Sequence, residues 1–142
     1  MEFPSCTEKQ EYLKESFLSL KTPEEKYHRI IELGQKASKM DLDDQVKENL
    51  VPGCQSLLYL KVERKEEKLS LQASSDALIS AGLAQLLIQV YDEEPPEAVL
   101  KCPPYFLNEL GLFESLSPSR ANGLKSLFQK LQKESLKFLV SK

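Results

Sequence analysis

A single histidine, three cysteines, no tryptophan and no block of Lys or Arg mark this 142-residue sequence, and most of these shortages close off some chemistry. With only His28 available, a His-rich metal site lacks ligands and a Ser–His–Asp arrangement is strained. His28 lies beside the apolar positions Tyr27, Ile30 and Ile31, where a surface or boundary side chain is expected. No C-x-x-C pair exists, and Cys6, Cys54 and Cys102 are widely separated, so a structural zinc site has no basis. The phosphate-cradling and nucleophile-elbow patterns G-x-G-x-x-G, P-loop and G-x-S-x-G are missing too. The 19 Lys and Arg against 22 Asp and Glu leave a net charge of −3. A nucleic-acid binder needs a dense cationic face to displace counterions, so no nucleic-acid partner is expected. An odd number of cysteines cannot close a disulfide framework, and the composition fits a reducing, cytoplasmic setting.

Long hydrophobic runs are also lacking. The zone Ala77 to Tyr91 is interrupted by Ser80, Gly82, Gln85 and Gln89, and is too short and polar to cross ~30 Å of hydrocarbon. A buried helix is the expectation there. The opening Met1-Glu2-Phe3-Pro4-Ser5-Cys6 shows neither the basic nor the apolar part of an export signal, so no targeting segment and no membrane partner are expected. The carboxylate pairs Glu24-Glu25, Asp43-Asp44 and Glu93-Glu94 read as solvated faces or caps rather than catalytic pairs.

What is present is 41% apolar residues, enough for one core, in a length that suits one domain spanning 1–142. Between Glu8 and Leu20, the residues Tyr12, Leu13, Phe17 and Leu20 share a helical face. Thr22-Pro23-Glu24-Glu25 opens a second helix with a cap, a proline at the first position and a capping-box glutamate. Gly34 can end that helix in a left-handed conformation. Lys36 to Asn49 is weakly periodic and reads as loop. From Leu58 the period changes to alternation, and Leu58, Leu60 and Val62 are matched by Leu69, Leu71 and Ala73 across the charged turn 64–67. That pattern predicts a β-hairpin with one buried face, and a short strand before Pro52 would add a third member. Ser74-Ser75-Asp76 caps a long helix. Pro95-Pro96 and Pro103-Pro104 punctuate two short helical pieces, and Ser117-Pro118 opens a last helix carrying Leu124, Leu127, Phe128 and Leu131. The fold class is α+β, with a small antiparallel sheet of about three strands packed against several helices.

Cysteine is the one residue type left with chemical potential. Cys6 falls in a terminus expected to be loose. Cys102, before Pro103-Pro104, reads as a small buried hydrophobe. Cys54 sits in Val51-Pro52-Gly53-Cys54-Gln55-Ser56, immediately before the hairpin, where proline and glycine force a turn. Spacing alone leaves two readings of Cys54, a thiol presented to another protein or a buried structural one.

Gly53-Cys54-Gln55-Ser56, with Asn49 ahead of it and Leu57-Leu58-Tyr59 after it, resembles the active-cysteine motif of the SufE family. Glu24-Glu25-Lys26-Tyr27 and Ile30-Ile31-Glu32-Leu33-Gly34 are similar to that family's second helix. Ser75-Asp76-Ala77 with Gly82-Leu83 resembles its S-D-A…G-L helix start. Leu116-Ser117-Pro118-Ser119-Arg120 with Gly123-Leu124 resembles its L-[ST]-P-S-R…G-L segment. Tyr59 departs from the family's frequent tryptophan, and Lys36–Glu48 and the N-terminus also differ.

The resemblance implies a SufE/IscU-like fold and a sulfur acceptor that stimulates a PLP-dependent, SufS-like cysteine desulfurase. Sulfur would be taken as a persulfide on Cys54 and passed toward a SufB-type scaffold complex for iron–sulfur cluster assembly. It implies no cofactor or metal on this chain, no turnover by the chain alone, and is compatible with a homodimer. It also implies that the cysteine lies tucked into an apolar pocket at rest. Gly53, Gln55 and Ser56 would shape the loop. Asp76 is either a plain helix cap or a restraint on the loop. Arg120, a cation in the first turn of a helix where the dipole disfavours it, makes either a specific contact or a solvated side chain. Rival readings are a cluster scaffold of the IscU-like fold, which needs several converging ligands, a Cys54–His28 hydrolase or peroxidase, and a non-catalytic interaction module.

Overall fold

A helix that is apolar over most of its circumference has to be largely enclosed by the rest of the chain, and the segment 78–91 is such a helix. In the computed structural model, which describes residues 3–53 and 56–140, the order is α1 (Pro4–Leu18), α2 (Pro23–Lys36), β1 (Leu58–Lys65), β2 (Lys68–Ser75), α3 (Leu78–Tyr91), α4 (Pro96–Lys101), α5 (Tyr105–Glu109), α6 (Leu112–Ser115) and α7 (Pro118–Val140). Helix α3 packs against α1, α2, α7 and β2. Ile79, Leu83, Leu86, Leu87, Val90 and Tyr91 are all buried along it.

Helices α2 and α3 cross at two glycines. A Cβ on Gly82 would lie 1.9 Å from the carbonyl oxygen of Ile30, and one on Gly34 would lie 2.2 Å from that of Leu78. Gly34 therefore does not end α2 in a left-handed turn, as the sequence suggested. The helix runs on to Lys36, and Gly34 lets the two backbones touch. The Thr22 cap is present as expected, its hydroxyl accepting from the Glu25 amide at 3.1 Å.

The hairpin pairs β1 with β2 in the expected alternation, Leu60 opposite Ala73 and Val62 opposite Leu71. The third strand is not formed. Leu50 makes only an isolated bridge to Tyr59, and the Val51 amide donates to the Leu58 carbonyl at 2.8 Å. Proline at 52 and a left-handed Gly53 (φ 78°) turn the chain away after one pair. The β2 edge is covered by the segment after α3. Leu69 exchanges backbone hydrogen bonds with Glu93 and Glu94, and the Asp92 carboxylate accepts from the Leu71 amide at 2.8 Å. The β2 edge is thus covered at Leu69 and Leu71, which blunts it for pairing with other chains, while the β1 edge is met only at its start. The stretch read as loop before the hairpin contains two single 3-10 turns, 42–44 and 47–49.

Three further expectations are corrected. Helix α1 starts at Pro4, and its buried face is Cys6, Gln10, Leu13 and Phe17, while Tyr12 points outward. Cys6 is therefore fully buried in the core rather than in a loose terminus, because the apolar stripe begins one turn earlier than the periodicity showed. Glu94 is no solvated carboxylate: it is buried and paired with Lys9 at 2.7 Å, while the same ammonium donates to the Asp92 carbonyl.

Gly82→Ala is expected to cost about 3 kcal/mol, since backbone rather than a flexible side chain stands in the way. Urea unfolding checks this, and a loss below about 1 kcal/mol would show that α2 and α3 separate freely. A second expectation concerns alkali. Burial, followed by the neighbouring Cys102 thiol, pushes Cys6 from 9.0 up to about 12. Its thiol ionises earlier in the unfolded chain than in the folded one, so its stabilising contribution is complete below pH 9 and is lost as pH rises toward 12. Stability should fall less steeply over that window in Cys6→Ala; identical slopes in urea titrations would contradict it.

Candidate functional site

Helix α3 begins beside the chain that leads into β1, and this juxtaposition builds the site. Asp76 does not cap α3. The residue before the helix is Ala77, with no side-chain cap, and the Asp76 carboxylate instead accepts from the Leu57 amide at 3.0 Å. In return the Asp76 amide donates to the Leu57 carbonyl at 3.2 Å. Residue 57 is held on both its backbone groups.

One residue earlier, the Ser56 hydroxyl shares a hydrogen bond with the Ser80 hydroxyl at 3.0 Å. Ser80 belongs to the first turn of α3 and is buried. Arg120, in the first turn of α7, donates through Nη1 to Ser80 Oγ at 3.0 Å and to Ser56 Oγ at 3.4 Å. The cation at an unfavourable helix start is thus half-buried, and among the described residues it is bonded to hydroxyls rather than paired with a carboxylate. It joins the loop, α3 and α7 through two serine hydroxyls. Its backbone amide in turn donates to the Ser117 hydroxyl at 3.3 Å, so the start of α7 is capped by serine.

Below this polar cluster is a pocket of about 10 Å³, room for about one water. Leu58, Leu83, Leu124 and Leu127 form its apolar wall, and Ser56, Ser80 and Arg120 its polar rim. Gly53 approaches from the other side. A Cβ there would meet Ser126 Oγ of α7 at 3.4 Å. The two ends of the motif therefore rest on α7 and α3.

Of the residues singled out by sequence, Gly53, Ser56, Asp76 and Arg120 fall in this one region. Ser56 and Arg120 touch directly, and Asp76 holds the neighbouring Leu57. Cys54 and Gln55 lie outside the described residues. His28 is exposed on α2. Ser80 was missed. Its signal was present, a serine in an otherwise apolar helix, which when buried needs a hydrogen-bonding partner. Among the described residues, no group of three or more His, Cys, Asp or Glu side chains could hold a metal ion. No helix among them is long and apolar enough to cross a membrane.

This is an α+β protein whose hairpin and two helix starts hold both ends of a short cysteine-bearing segment. Residues 11–135 match the family model "SufE: Fe-S metabolism associated domain", and the chain belongs to the SufE family. It is 35% identical over 121 residues to "SufE-like protein 1, chloroplastic/mitochondrial" of Arabidopsis thaliana, covering 84% of this chain and 33% of that one. The chain thus spans about a third of that relative's length. It is 33% identical over 116 residues to an uncharacterized SufE-like protein of Synechocystis, covering 82% of this chain and 73% of the relative. A solution structure of a hypothetical protein from Thermus thermophilus superposes with a TM-score of 0.77 at 29% identity, over 94% of this chain and 97% of that one.

Two substitutions test the clasp. Asp76→Ala removes the acceptor from Leu57 and should cost about 1 kcal/mol locally, which speeds amide exchange at Leu57 about fivefold. Arg120→Ala removes both hydrogen bonds to the serines and should cost about 1–2 kcal/mol in urea unfolding, with Arg120→Lys recovering only part. Full recovery by lysine would mean that charge alone matters there.

Proposed function

We propose that this domain accepts sulfur as a persulfide on Cys54 from a PLP-dependent, SufS-like cysteine desulfurase. In doing so it stimulates that enzyme and passes the sulfur on, toward a SufB-type scaffold, for iron–sulfur cluster assembly. The family's association with Fe-S metabolism supports the general role. The observation that carries the finer reading is the double anchorage of the motif. After the cysteine, Ser56 is fastened to Ser80 of α3 and to Arg120 and Leu57 to Asp76, and before it Val51 is paired with Leu58. A sulfur carrier needs such a short, tethered presentation more than it needs a base.

The chemistry is a displacement of the thiol–disulfide type. The Cys54 thiolate attacks the outer sulfur of the desulfurase persulfide, the S–S bond breaks, and the desulfurase cysteine leaves as thiolate. An ordinary thiol of pKa ~8.5 is a few per cent ionised at neutral pH, so no histidine is required if the partners are aligned. Alignment in the docked complex then supplies most of the rate, through effective concentration. The Arg120 guanidinium, bonded to Ser56, places positive charge on the loop's anchor. The PLP belongs to the partner, where it labilises the sulfur of free cysteine. A reducing, cytoplasmic setting is part of the same proposal, and so is the absence of turnover without the partner.

The test combines the full chain with a cysteine desulfurase and cysteine, reading sulfide release and intact mass. Faster release and an adduct of about 32 Da on Cys54, both lost in Cys54→Ser, are expected. An adduct on Cys6 or Cys102 in place of Cys54 would overturn the assignment. Alkylation of Cys54 should also accelerate when the desulfurase is added, and unchanged reactivity would argue against a loop that is released on docking.

A further inference from the structure

The other two cysteines, separated by about two thirds of the chain, meet in the core. Cys6 lies in the first turns of α1, and Cys102 ends α4. Gln10, one turn after Cys6 and itself buried, points its amide between them. Its Nε2 is 3.5 Å from Cys102 Sγ and 3.9 Å from Cys6 Sγ. The same side chain donates to the Pro103 carbonyl at 2.9 Å and accepts from the Phe106 amide at 3.2 Å. Tyr91 fixes the Cys102 backbone from the opposite side, its hydroxyl donating to the Cys102 carbonyl at 2.6 Å. The proximity of the Cys102 thiol is, after burial, the main reason that Cys6 holds its proton so tightly.

The two thiols differ in access. Cys6 is fully enclosed, whereas Cys102 keeps 7% of its surface and lines a crevice of about 90 Å³ with Thr7, Gln10, Tyr105 and Glu109. A crevice of that size admits a molecule little larger than water and excludes a tripeptide thiol. Small buried cysteines ordinarily serve as inert hydrophobes. Here a second sulfur stands behind the accessible one, and a polar side chain orients both.

We propose that Cys6 and Cys102 form a redox site distinct from the sulfur-carrying loop, at which hydrogen peroxide converts the thiol pair into a disulfide that staples α1 to the α4–α5 junction. The Cys102 sulfur attacks one peroxide oxygen, the O–O bond breaks, and water leaves with a sulfenic acid on Cys102. The Cys6 sulfur then displaces that hydroxyl as a second water, forming the S–S bond. Two electrons and two protons pass from the thiols to the peroxide, and a dithiol reductant reverses the change. The bond closes a loop of about two thirds of the chain, and long loops are the case in which a cross-link constrains the unfolded state most. It also leaves a single thiol, at Cys54, which gives the odd cysteine count a structural sense.

The experiment uses the folded full-length chain and its Cys54→Ser form, treated with hydrogen peroxide, quenched and alkylated after unfolding. The expected result in both is no alkylation of Cys6 or Cys102, a Cys6–Cys102 linked peptide and reversal by dithiothreitol, with a loss of about 2 Da in the Cys54→Ser form. The melting temperature should rise by about 5–10 °C in the oxidised form. Cys6→Ala, which leaves Cys102 without a partner, should gain oxygen on Cys102 instead. Oxidised glutathione should leave both core thiols free. Three results overturn the proposal: both thiols still alkylatable after peroxide, oxygen added to Cys102 while Cys6 stays free in the unsubstituted chain, or a disulfide that includes Cys54. Because Cys54→Ser lacks the sulfur-carrying thiol, this outcome is independent of whether sulfur transfer occurs.

Discussion

The contact between the backbones of α2 and α3, at Gly34 and Gly82, sets the position of everything else. It lets α3 sink far enough into the molecule to bury ten of its fourteen residues, and both ends of that helix are tied to neighbouring elements. At its start, Ser80 and the adjoining Asp76 take hold of the chain entering β1. At its end, Tyr91 and Glu94 hold α4 and α1. A helix of this length is about 20 Å long, so the anchor of the cysteine motif and the core thiol pair sit at opposite ends of one rigid rod.

The loop's anchorage depends on pairings that a small change would undo. Ser80 is a hydroxyl inside an apolar helix, tolerable because Ser56 and Arg120 satisfy it. Arg120 stands where a helix dipole opposes a cation, tolerable because the serine hydroxyls accept from it. Each residue is out of place alone and in place together. Such mutual dependence makes the cluster an all-or-none fastening.

Much of this was legible beforehand. The hairpin followed from alternation, the second helix from its Thr22 cap, and the last helix from leucine spacing. What was not legible depended on long-range partners. Gly34 looked like a helix stop because its neighbour in space, the Leu78 carbonyl, is far away in sequence. Asp76 looked like a cap because capping needs only local residues, whereas its bond to Leu57 depends on how the hairpin docks. Gln10 and Cys6 were hidden by the same limit: a polar residue and a thiol on a core face become interpretable only when Cys102 is brought beside them. The third strand failed because one bridge satisfies the backbone that Pro52 leaves available. The candidate site was readable as a list of residues, but not as a connected arrangement.

The paired fastening of Val51 to Leu58 and of Leu57 to Asp76 also sets a leash. A chain cannot extend beyond about 3.6 Å per residue. Ser56 follows the motif cysteine by two positions, so while the clasp is closed that residue's backbone stays within about 7 Å of Ser56. The length of the tether thereby sets a limit on reach: with Gly53 against Ser126 and Ser56 held by Ser80 and Arg120, a longer excursion of the chain between them requires breaking the Leu57–Asp76 bonds and the serine–arginine knot.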